Sequence, residues 1–308
     1  MTPTSVTNVF PITDYNLAAT LSSGQAFRWR QIGESWVGVI DRHWVRLSSD
    51  SSSIIAESPH PLSNWNWLVD YLQLETDLGA VLRGFPQDEP MRAAVQACRG
   101  LRLLRQDPWE CLASFICSST KQIVQIQQII SLLCQRYGEG VSPPPGYPPA
   151  FAFPSALSLA TLAEADLRAC KMGFRAPYLL KAAQAVAGGN LDLATLQAMP
   201  VEQAREGLMQ LPGVGRKIAD CVLLFAFGFQ SAFPVDVWVT KGLRQLYFPR
   251  RQVNLKRLQR FSAEYFGPNG GYAQQYLFHY VRTSGRSTFR NRKAKRHSLT
   301  QIALPKCK

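Results

Sequence analysis

Residues 211–217 read Leu-Pro-Gly-Val-Gly-Arg-Lys, and this stretch decides the fold because it lies between two helical patterns. The upstream segment, 202–210, contains good helix formers and no proline, and in 218–225 apolar residues recur at helical spacing. A proline and two glycines, Gly213 and Gly215, leave room only for a tight reversal of the chain. The pattern therefore predicts a helix, a short hairpin and a second helix.

This hairpin places three chemical groups in a short span. The N–H groups of Gly213, Val214 and Gly215 precede a helix, where free N–H groups and the positive end of the helix dipole favour a phosphate. Lys217 brings an amine to the start of that helix, and Asp236 follows in Pro-Val-Asp. Each alone has an ordinary explanation: a turn, a solvated lysine, and an N-cap. Their combination in a strongly basic chain favours a functional site.

Composition limits the class of protein. The 308 residues suffice for two or three packed units, and 46% hydrophobic with 18% charged residues is typical of a folded protein. Lysine and arginine number 34 against 21 acidic residues, a net charge of +13. Such an excess predicts a polyanionic partner, because a basic surface gains affinity by releasing counterions. The charge alone does not distinguish DNA from RNA or from an anionic membrane surface.

Membrane, secretory and metal-binding classes are not favoured. No apolar run approaches the roughly 20 residues that span a bilayer, and the first 27 residues contain no Lys or Arg and no hydrophobic signal core. The seven cysteines are scattered and include no C-x2-C, which predicts buried thiols of a reducing compartment. Only Cys307 follows Cys221, so the C-terminal part of the chain lacks the four cysteines that hold an iron–sulfur cluster. We expect an enzyme without metal or cofactor.

The pattern changes along the chain from strands to helices. Short runs in 25–56, at Gln25–Gln31, Ser35–Ile40 and His43–Leu47, are rich in Trp, Val, Phe and Ile and predict a small antiparallel sheet. From about Asn64 the pattern is helical to the end of the chain. The fold class predicted is α+β, with an N-terminal antiparallel β-sheet domain packed on a mostly helical domain that contains the helix-hairpin-helix.

We predict domain boundaries from these changes of pattern. Residues 1–110 form the sheet domain with flanking helices, and 111–285 form the helical domain, part of which packs back on the first. Within it, 142–149 carries five prolines and is expected to be a loop or rigid connector. Residues 286–308 form a basic C-terminal tail that adds non-specific attraction to DNA or serves only solubility.

Six segments, spread over most of the chain, resemble the eukaryotic-type 8-oxoguanine DNA glycosylase/lyase family of the helix-hairpin-helix-Gly/Pro-Asp superfamily. Four of them are unrelated to the hairpin. The resemblance implies a β-sheet domain beside a helical domain, in agreement with the order read above. The matching segments are Ser23-Gly-Gln-Ala-Phe-Arg-Trp-Arg30, Leu101-Arg-Leu-Leu-Arg-Gln-Asp-Pro-Trp-Glu-Cys-Leu112, Ser114-Phe-Ile-Cys-Ser-Ser119, Gly173-Phe-Arg-Ala176, Leu211–Cys221 and Pro234-Val-Asp-Val237.

The resemblance implies a bifunctional glycosylase and AP lyase. Lys217 matches the amine that attacks C1′ of the deoxyribose and leaves a Schiff base, which permits β-elimination of the 3′ phosphate. Asp236 matches the carboxylate that stabilises the cationic sugar and assists proton transfer. A lysine at this position separates bifunctional enzymes from monofunctional alkyl-base glycosylases, which rely on the aspartate and water.

The resemblance also implies a pocket for a base flipped out of the duplex. The carbonyl of Gly24 matches the group that detects the extra N–H at N7 of 8-oxoguanine. Gln274 and Phe278, four apart on one helix face, match the residues that read and stack on the base, and Cys221 forms the other side of the stack. Without the resemblance, Phe278 would be assigned to the core, Cys221 to a buried thiol and Gly24 to a turn.

Residues aimed at the opposite strand depart from the family pattern. Arg175 matches the arginine that binds the orphaned cytosine, and Phe174 the adjacent wedge. The family's gap-filling asparagine is Thr120 here, and its second cytosine-reading arginine is Gln125. Because these two exchanges remove groups aimed at the cytosine, we predict a weaker preference for cytosine opposite the lesion. Near the catalytic aspartate, Trp238 stands where the family commonly has a phosphate-contacting histidine, and Val281 replaces an acidic residue.

Two other functions stay open at this point. One is a glycosylase for another oxidised or alkylated base that shares the fold and the lysine. The other is a non-catalytic helix-hairpin-helix protein that binds DNA phosphates. The expected partner is double-stranded DNA containing 8-oxoguanine, with no membrane, and the expected state is a monomer. We expect the protein in the cytoplasm or nucleoid of a bacterium-like cell, with a nucleus left open.

Overall fold

The first layer of the structure is an antiparallel sheet near the N-terminus. The computed structural model describes residues 5–249 and 251–283. In the sheet the strand order is β1-β5-β4-β3-β2, so sequence neighbours pair through hairpins except where β1 closes the far edge against β5. The strands are β1 Val6–Pro11, β2 Arg30–Ile32, β3 Ser35–Ile40, β4 His43–Ser49 and β5 Ser53–Ser58.

Helices follow the sheet, interrupted by a two-stranded ribbon of β6 Gly140–Val141 and β7 Ala150–Phe151. Three 3-10 helices span Gly173–Arg175, Leu193–Ala198 and Gly267–Asn269. The α-helices are α1 Leu17–Ser22, α2 Asn66–Leu72, α3 Leu78–Arg83, α4 Glu89–Ala97, α5 Pro108–Cys117, α6 Ile123–Tyr137, α7 Ala156–Ala160, α8 Glu164–Arg168, α9 Ala176–Ala187, α10 Val201–Met209, α11 Arg216–Phe225, α12 Val237–Leu246, α13 Leu255–Tyr265 and α14, residues 270–283.

The predicted α+β fold is confirmed, with three corrections. The strand predicted at Gln25–Gln31 begins only at Arg30. Before it, the chain is held by the buried Gln25 side chain, which donates to the carbonyls of Thr20 and Arg102. Strand β1 was missed. The helical pattern after Asn64 is broken by the β6–β7 ribbon, whose connection is the proline-rich 142–149 loop that the sequence predicted.

Two hydrophobic clusters hold these layers together. The smaller lies between the sheet and α2 and includes Trp29, Leu47 and Leu72. The larger fills the helical region, with α5 and α11 at its centre, where the rings of Phe115 and Phe225 stack at 5.6 Å. Burying a side chain of this size contributes about 1.5–3 kcal/mol. This core fixes α11, and therefore the residues that the hairpin presents, against α5.

Several sequence-based expectations concern parts outside these layers. In the described residues, no helix is long and apolar enough to cross a membrane. Six cysteines, from Cys98 to Cys221, are buried thiols, as predicted. The basic tail 286–308 and Cys307 lie outside the described residues. The domain boundaries at 110 and 285 stay predictions.

Candidate active site

The helix-hairpin-helix predicted from 211–217 is present as α10, a turn and α11. Gly213 has φ +80°, and a Cβ there would lie 2.5 Å from the Tyr178 ring, so glycine is required for both reasons. A buried ion pair joins the two helices, with Arg205 Nε 2.6 Å from Asp220 Oδ1. Because Asp220 follows Lys217 by one helical turn, this ion pair fixes the segment that carries the lysine.

Two of the three N–H groups predicted to contact phosphate make no hydrogen bond to the described residues. The Val214 N–H donates to the Leu211 carbonyl at 3.1 Å, and the Val214 side chain is buried. Neither Gly213 nor Gly215 donates its N–H to another described residue. The space beside Gly215 is open, since a Cβ there would meet no atom within 4 Å. The two glycines, not Val214, are therefore the phosphate-binding candidates of this turn.

A cavity of about 770 Å³ collects the predicted catalytic and base-contacting residues. Both catalytic candidates, Lys217 and Asp236, line its wall. So do the four residues assigned to the base pocket, Gly24, Cys221, Gln274 and Phe278, together with Trp238. These residues come from α11, α12, α14 and the segment after α1. The tertiary structure therefore brings together groups as far apart in sequence as Gly24 and Phe278.

Lys217 lies in the first turn of α11 and faces the cavity. Its Nζ donates to Ser118 Oγ at 3.1 Å and lies 5.2 Å from the Phe115 ring centroid. Ser118 ends α5 and in turn donates to the Phe115 carbonyl at 2.7 Å. The amine is thus held by a hydroxyl and an aromatic face, with no carboxylate in a salt bridge with it among the described residues. This leaves it available to an electrophile in the cavity.

Asp236 is the N-cap of α12, the ordinary role that its place in the sequence predicted. Its Oδ1 accepts from the Val239 N–H at 2.7 Å. Burial raises the pKa of the Asp236 carboxyl above its ordinary value, while that N–H and the charge of Lys217 act in the opposite direction. Among the described residues lining the cavity it is the one carboxylate. A positive charge developing in the cavity would therefore be stabilised at Asp236.

Cys221 lies one turn after Lys217 on α11 and reaches the same cavity. Burial raises the pKa of its thiol to about 12. At neutral pH the side chain is therefore an uncharged, polarisable surface instead of a thiolate. Such a surface suits stacking against a planar ring and does not compete with Lys217 as a nucleophile.

The opposite wall of the cavity belongs to α14. Gln274 is almost fully buried, and its Oε1 accepts no hydrogen bond from the described residues. An orphaned buried acceptor costs about 1–3 kcal/mol, so a donor that enters the cavity at this oxygen would be stabilised. Phe278 lies one turn further along, half-buried beside it. The side chains of α14 thus offer one hydrogen-bonding amide and one aromatic face.

Gly24 lies next to the Phe278 ring in the wall of the cavity. It has φ +83°, and a Cβ there would lie 2.9 Å from the Ile123 side chain and 3.4 Å from the Phe278 ring. Glycine is therefore required by both its conformation and its surroundings. No described residue donates to the Gly24 carbonyl. The explanation of Gly24 as a simple turn residue is incomplete, because its main chain forms part of the cavity wall.

The residues assigned to the opposite strand lie outside the lining of this cavity. Arg175 is buried, and its guanidinium donates to the Met172 carbonyl at 3.0 Å, to Thr120 Oγ1 at 2.6 Å and to the Ser119 carbonyl. Phe174 is 53% exposed, with the Arg175 guanidinium 4.2 Å from its ring centroid. Thr120 has φ +56°, which a β-branched residue rarely adopts. An exposed ring beside a buried arginine suits a wedge.

Trp238 and Val281, the two departures near Asp236, have different surroundings. Trp238 lines the cavity, is 41% exposed and has the Lys241 ammonium 5.5 Å from its ring. Val281 is buried and packs against Gly242 of α12. An acidic residue at 281 would be buried against that helix. The Trp238 side chain is therefore the member of this pair that a substrate can reach.

Sequence analysis did not assign several polar residues of the cavity, among them Ser118, Lys121 and Arg282. Ser118 lies in a segment quoted for the family resemblance, so its neighbourhood was marked although its role was not. Lys121 and Arg282 carried no signal, because single basic residues near helix ends are normally solvated. Within the described part of the chain, no group of three or more His, Cys, Asp or Glu is arranged to hold a metal ion.

Two family models match adjoining parts of the chain. The model described as 8-oxoguanine DNA glycosylase, N-terminal domain, matches residues 9–112. The model described as HhH-GPD superfamily base excision DNA repair protein matches residues 113–268. The second match runs from within α5 to just beyond α13 and includes the hairpin, Lys217 and Asp236.

Individual proteins are similar over nearly the same span. The N-glycosylase/DNA lyase OGG1 of Arabidopsis thaliana is 31% identical, over 86% of this chain and 77% of its own. MBOgg1, solved in complex with a low-affinity DNA ligand, is 33% identical with a TM-score of 0.86, covering 91% of this chain and 96% of its own. The Clostridium acetobutylicum 8-oxoguanine glycosylase/lyase, solved with double-stranded DNA containing cytosine opposite 8-oxoguanine, is 30% identical with a TM-score of 0.84, covering 90% and 98%.

Proposed function

The chain belongs to the 8-oxoguanine DNA glycosylase family, within the HhH-GPD superfamily of base excision repair proteins, and we propose that its cavity carries out that family's reaction on duplex DNA. The protein is a bifunctional glycosylase and lyase that excises 8-oxoguanine and then cleaves the strand. The observation that carries this function is the convergence of Lys217, Asp236 and the orphaned Gln274 acceptor in one cavity.

The cavity accepts a base only after that base has left the duplex. Cys221 and Phe278 supply an apolar thiol and an aromatic face, between which a purine ring stacks. Gln274 Oε1 accepts a hydrogen bond from the Watson–Crick edge, which satisfies an otherwise orphaned oxygen. The Gly24 carbonyl accepts from N7–H, a donor that 8-oxoguanine has and guanine lacks. The choice of 8-oxoguanine over guanine therefore depends on the Gly24 carbonyl, which accepts no hydrogen bond from the described residues.

Lys217 and Asp236 carry out the covalent chemistry. As the C1′–N9 bond breaks, positive charge builds on the sugar and is stabilised by the Asp236 carboxylate. The neutral Lys217 amine forms a bond to C1′, the base leaves with the bonding electron pair and is protonated, and ring opening gives a Schiff base. Removal of a C2′ proton then breaks the C3′–O bond and releases the 3′ phosphate. Water finally hydrolyses the Schiff base.

The hairpin and an exposed tryptophan contact the DNA backbone. The N–H groups of Gly213 and Gly215 lie at the start of α11, where a phosphate is favoured by the helix dipole. Trp238, exposed beside Asp236, adds a ring N–H and an aromatic face next to the cavity mouth. These groups position a duplex so that a flipped nucleotide enters the cavity.

The function is tested by incubating the protein with a duplex that carries a single 8-oxoguanine opposite cytosine. We expect release of free 8-oxoguanine, detected by mass spectrometry, together with a strand break whose 3′ end is an unsaturated aldehyde. A duplex with guanine at the same position is the control and should stay intact. Release of a different oxidised or alkylated base, with 8-oxoguanine left in place, would favour the alternative glycosylase.

Gln274→Leu is expected to lower excision without destabilising the protein. Leucine fills a similar volume and removes the orphaned buried acceptor, so thermal stability should be unchanged or higher. Excision of 8-oxoguanine should fall by about 10²-fold or more, because the base edge loses its partner in a dry site. Thermal unfolding and single-turnover excision measure the two effects. Loss of stability with normal excision would contradict the role of Gln274.

The preference for cytosine opposite the lesion is expected to be weak. The Arg175 guanidinium donates to Ser119, Met172 and Thr120 within the protein, and the Gln125 amide oxygen accepts from the Gln122 N–H at 3.1 Å. Contacts of these two side chains with cytosine therefore compete with hydrogen bonds that they already make within the protein. We expect the kcat/KM ratio for cytosine over adenine to lie below about 10³, or some 4 kcal/mol.

The measurement is excision from duplexes that pair 8-oxoguanine with each of the four bases. Thr120→Asn should raise the ratio, because its longer side chain offers two N–H donors beside a carbonyl acceptor in place of one hydroxyl, and asparagine tolerates positive φ better than threonine. A wild-type ratio above about 10³ would contradict the prediction.

A further inference from the structure

Arg282 holds a position in the cavity that none of the assigned roles explains. It lies on α14, one turn beyond Phe278, with its guanidinium 5.4 Å from the centroid of that ring. Its Nη2 donates to the Ser22 carbonyl at 2.5 Å. A Cβ added to Gly24 would lie 3.0 Å from its Nη1. One side chain therefore donates to the end of α1 and lies beside both the Phe278 ring and Gly24.

Gln275 makes a second contact between the same two elements. It is almost fully buried, and its Nε2 donates to the Ser23 carbonyl at 3.2 Å. The carbonyls at the end of a helix have no partners within the helix, so the end of α1 needs donors from elsewhere. Arg282 donates to the Ser22 carbonyl, and Gln275 donates to the Ser23 carbonyl. The next carbonyl in the chain, that of Gly24, receives no hydrogen bond from the described residues.

We propose that Arg282 and Gln275 are positioning residues for lesion recognition, which fix the Gly24 carbonyl at a set distance from Phe278 and Gln274. The inference rests on the proposed function, because it assumes that the Gly24 carbonyl reads N7–H. A donor at N7 and a lone pair there differ by one hydrogen atom, so discrimination requires a carbonyl that cannot move away. Two hydrogen bonds from α14 to consecutive carbonyls provide that constraint.

The segment is also fixed from its other side. Gln25 is buried, and its Nε2 donates to the Arg102 carbonyl at 2.8 Å while its Oε1 accepts from the Leu104 N–H at 2.8 Å. Gly24 therefore lies between a residue tied to 102–104 and two residues tied to α14. The contacts of Arg282 and Gln275 couple the Gly24 segment directly to α14, which carries the base-stacking wall.

The test compares Arg282→Met, Arg282→Lys and a control, Arg99→Met, with the unaltered protein. Arg99 is exposed and pairs with Asp14, and it does not line the cavity. Methionine keeps most of the apolar stem of arginine and removes every donor. Single-turnover excision is measured on 8-oxoguanine opposite cytosine and on guanine in the same context. Strand cleavage is measured on an abasic-site duplex in the same buffer.

For Arg282→Met we expect excision of 8-oxoguanine to fall about 10- to 100-fold and the ratio over guanine to fall with it, the loss that follows a broken charge-assisted hydrogen bond. Cleavage of the abasic duplex should stay within about 3-fold, because that reaction needs no base recognition. Arg282→Lys should recover part of the discrimination, since an ammonium can still donate to one carbonyl. Arg99→Met should match the unaltered protein in both assays.

Two results would overturn the positioning role. One is unchanged excision and discrimination in Arg282→Met. The other is an equal fall in excision and abasic-site cleavage, which would indicate general structural damage. If the unaltered protein cleaves abasic DNA but leaves 8-oxoguanine in place, the proposed function itself fails, and this inference fails with it.

Discussion

Lys217→Gln is expected to abolish covalent trapping on damaged DNA and to lower the single-turnover rate of base excision by about 10³-fold or more, roughly 4 kcal/mol of transition-state stabilisation. Glutamine is one atom shorter than lysine but keeps an N–H donor near Ser118, so the cavity should keep nearly the same shape. What it lacks is a nucleophilic amine, and no Schiff base can form without one.

The matched control is Lys181→Gln, an exposed lysine in α9 that does not line the cavity. It should leave excision and trapping unchanged, which separates the loss of this amine from the loss of one positive charge. Binding of an uncleaved duplex should be nearly equal in both variants. Excision by Lys217→Gln at the unaltered rate would show that Lys217 is not the nucleophile.

Asp236→Asn is expected to lower excision by about 10²- to 10⁴-fold. Asparagine is as good an N-cap as aspartate, so α12 should stay intact and the loss should be chemical. The variant lacks the negative charge that stabilises the cationic sugar. Circular dichroism and thermal unfolding check the fold, and single-turnover kinetics measure the rate.

The same carboxyl predicts the acid side of the pH profile. Burial raises the pKa of Asp236, so the carboxylate forms only at a higher pH than in an ordinary aspartate, whose pKa is about 3.9. The rate should therefore fall as the pH drops through that raised pKa, and this fall should be absent in Asp236→Asn. Asp107→Asn, an exchange at the N-cap of α5 outside the cavity, is the control. An unchanged acid limb in Asp236→Asn would contradict the assignment.

The sequence predicted the hairpin well because its signals are local. A proline and two glycines between apolar stripes specify a turn between helices, and the structure adds only which N–H groups stay available. Gln274 and Phe278 were likewise predicted on one helix face because a spacing of four residues is a local property. Their place opposite Gly24 came from family resemblance, since no spacing rule relates residues so distant in the chain.

The remaining features depend on tertiary contacts. The run beginning at Gln25 has the composition of a strand. The Gln25 side chain instead bonds to the main chain of 102–104, and no pattern within the run indicates these contacts. Strand β1 was missed because its residues are mostly exposed or half-buried and it ends at a proline. Arg282 resembles a solvated arginine in sequence, and only the packing of α14 against α1 reveals its contacts.

The most direct test of the central claim is borohydride trapping on a duplex with 8-oxoguanine opposite cytosine, followed by peptide mapping of the adduct by mass spectrometry. We predict a single covalent adduct on Lys217, absent in Lys217→Gln, and the same adduct on an abasic-site duplex. An adduct on another residue, or no adduct on either duplex despite normal DNA binding, would contradict a lysine Schiff base in this cavity. The second outcome would favour a protein that only binds DNA.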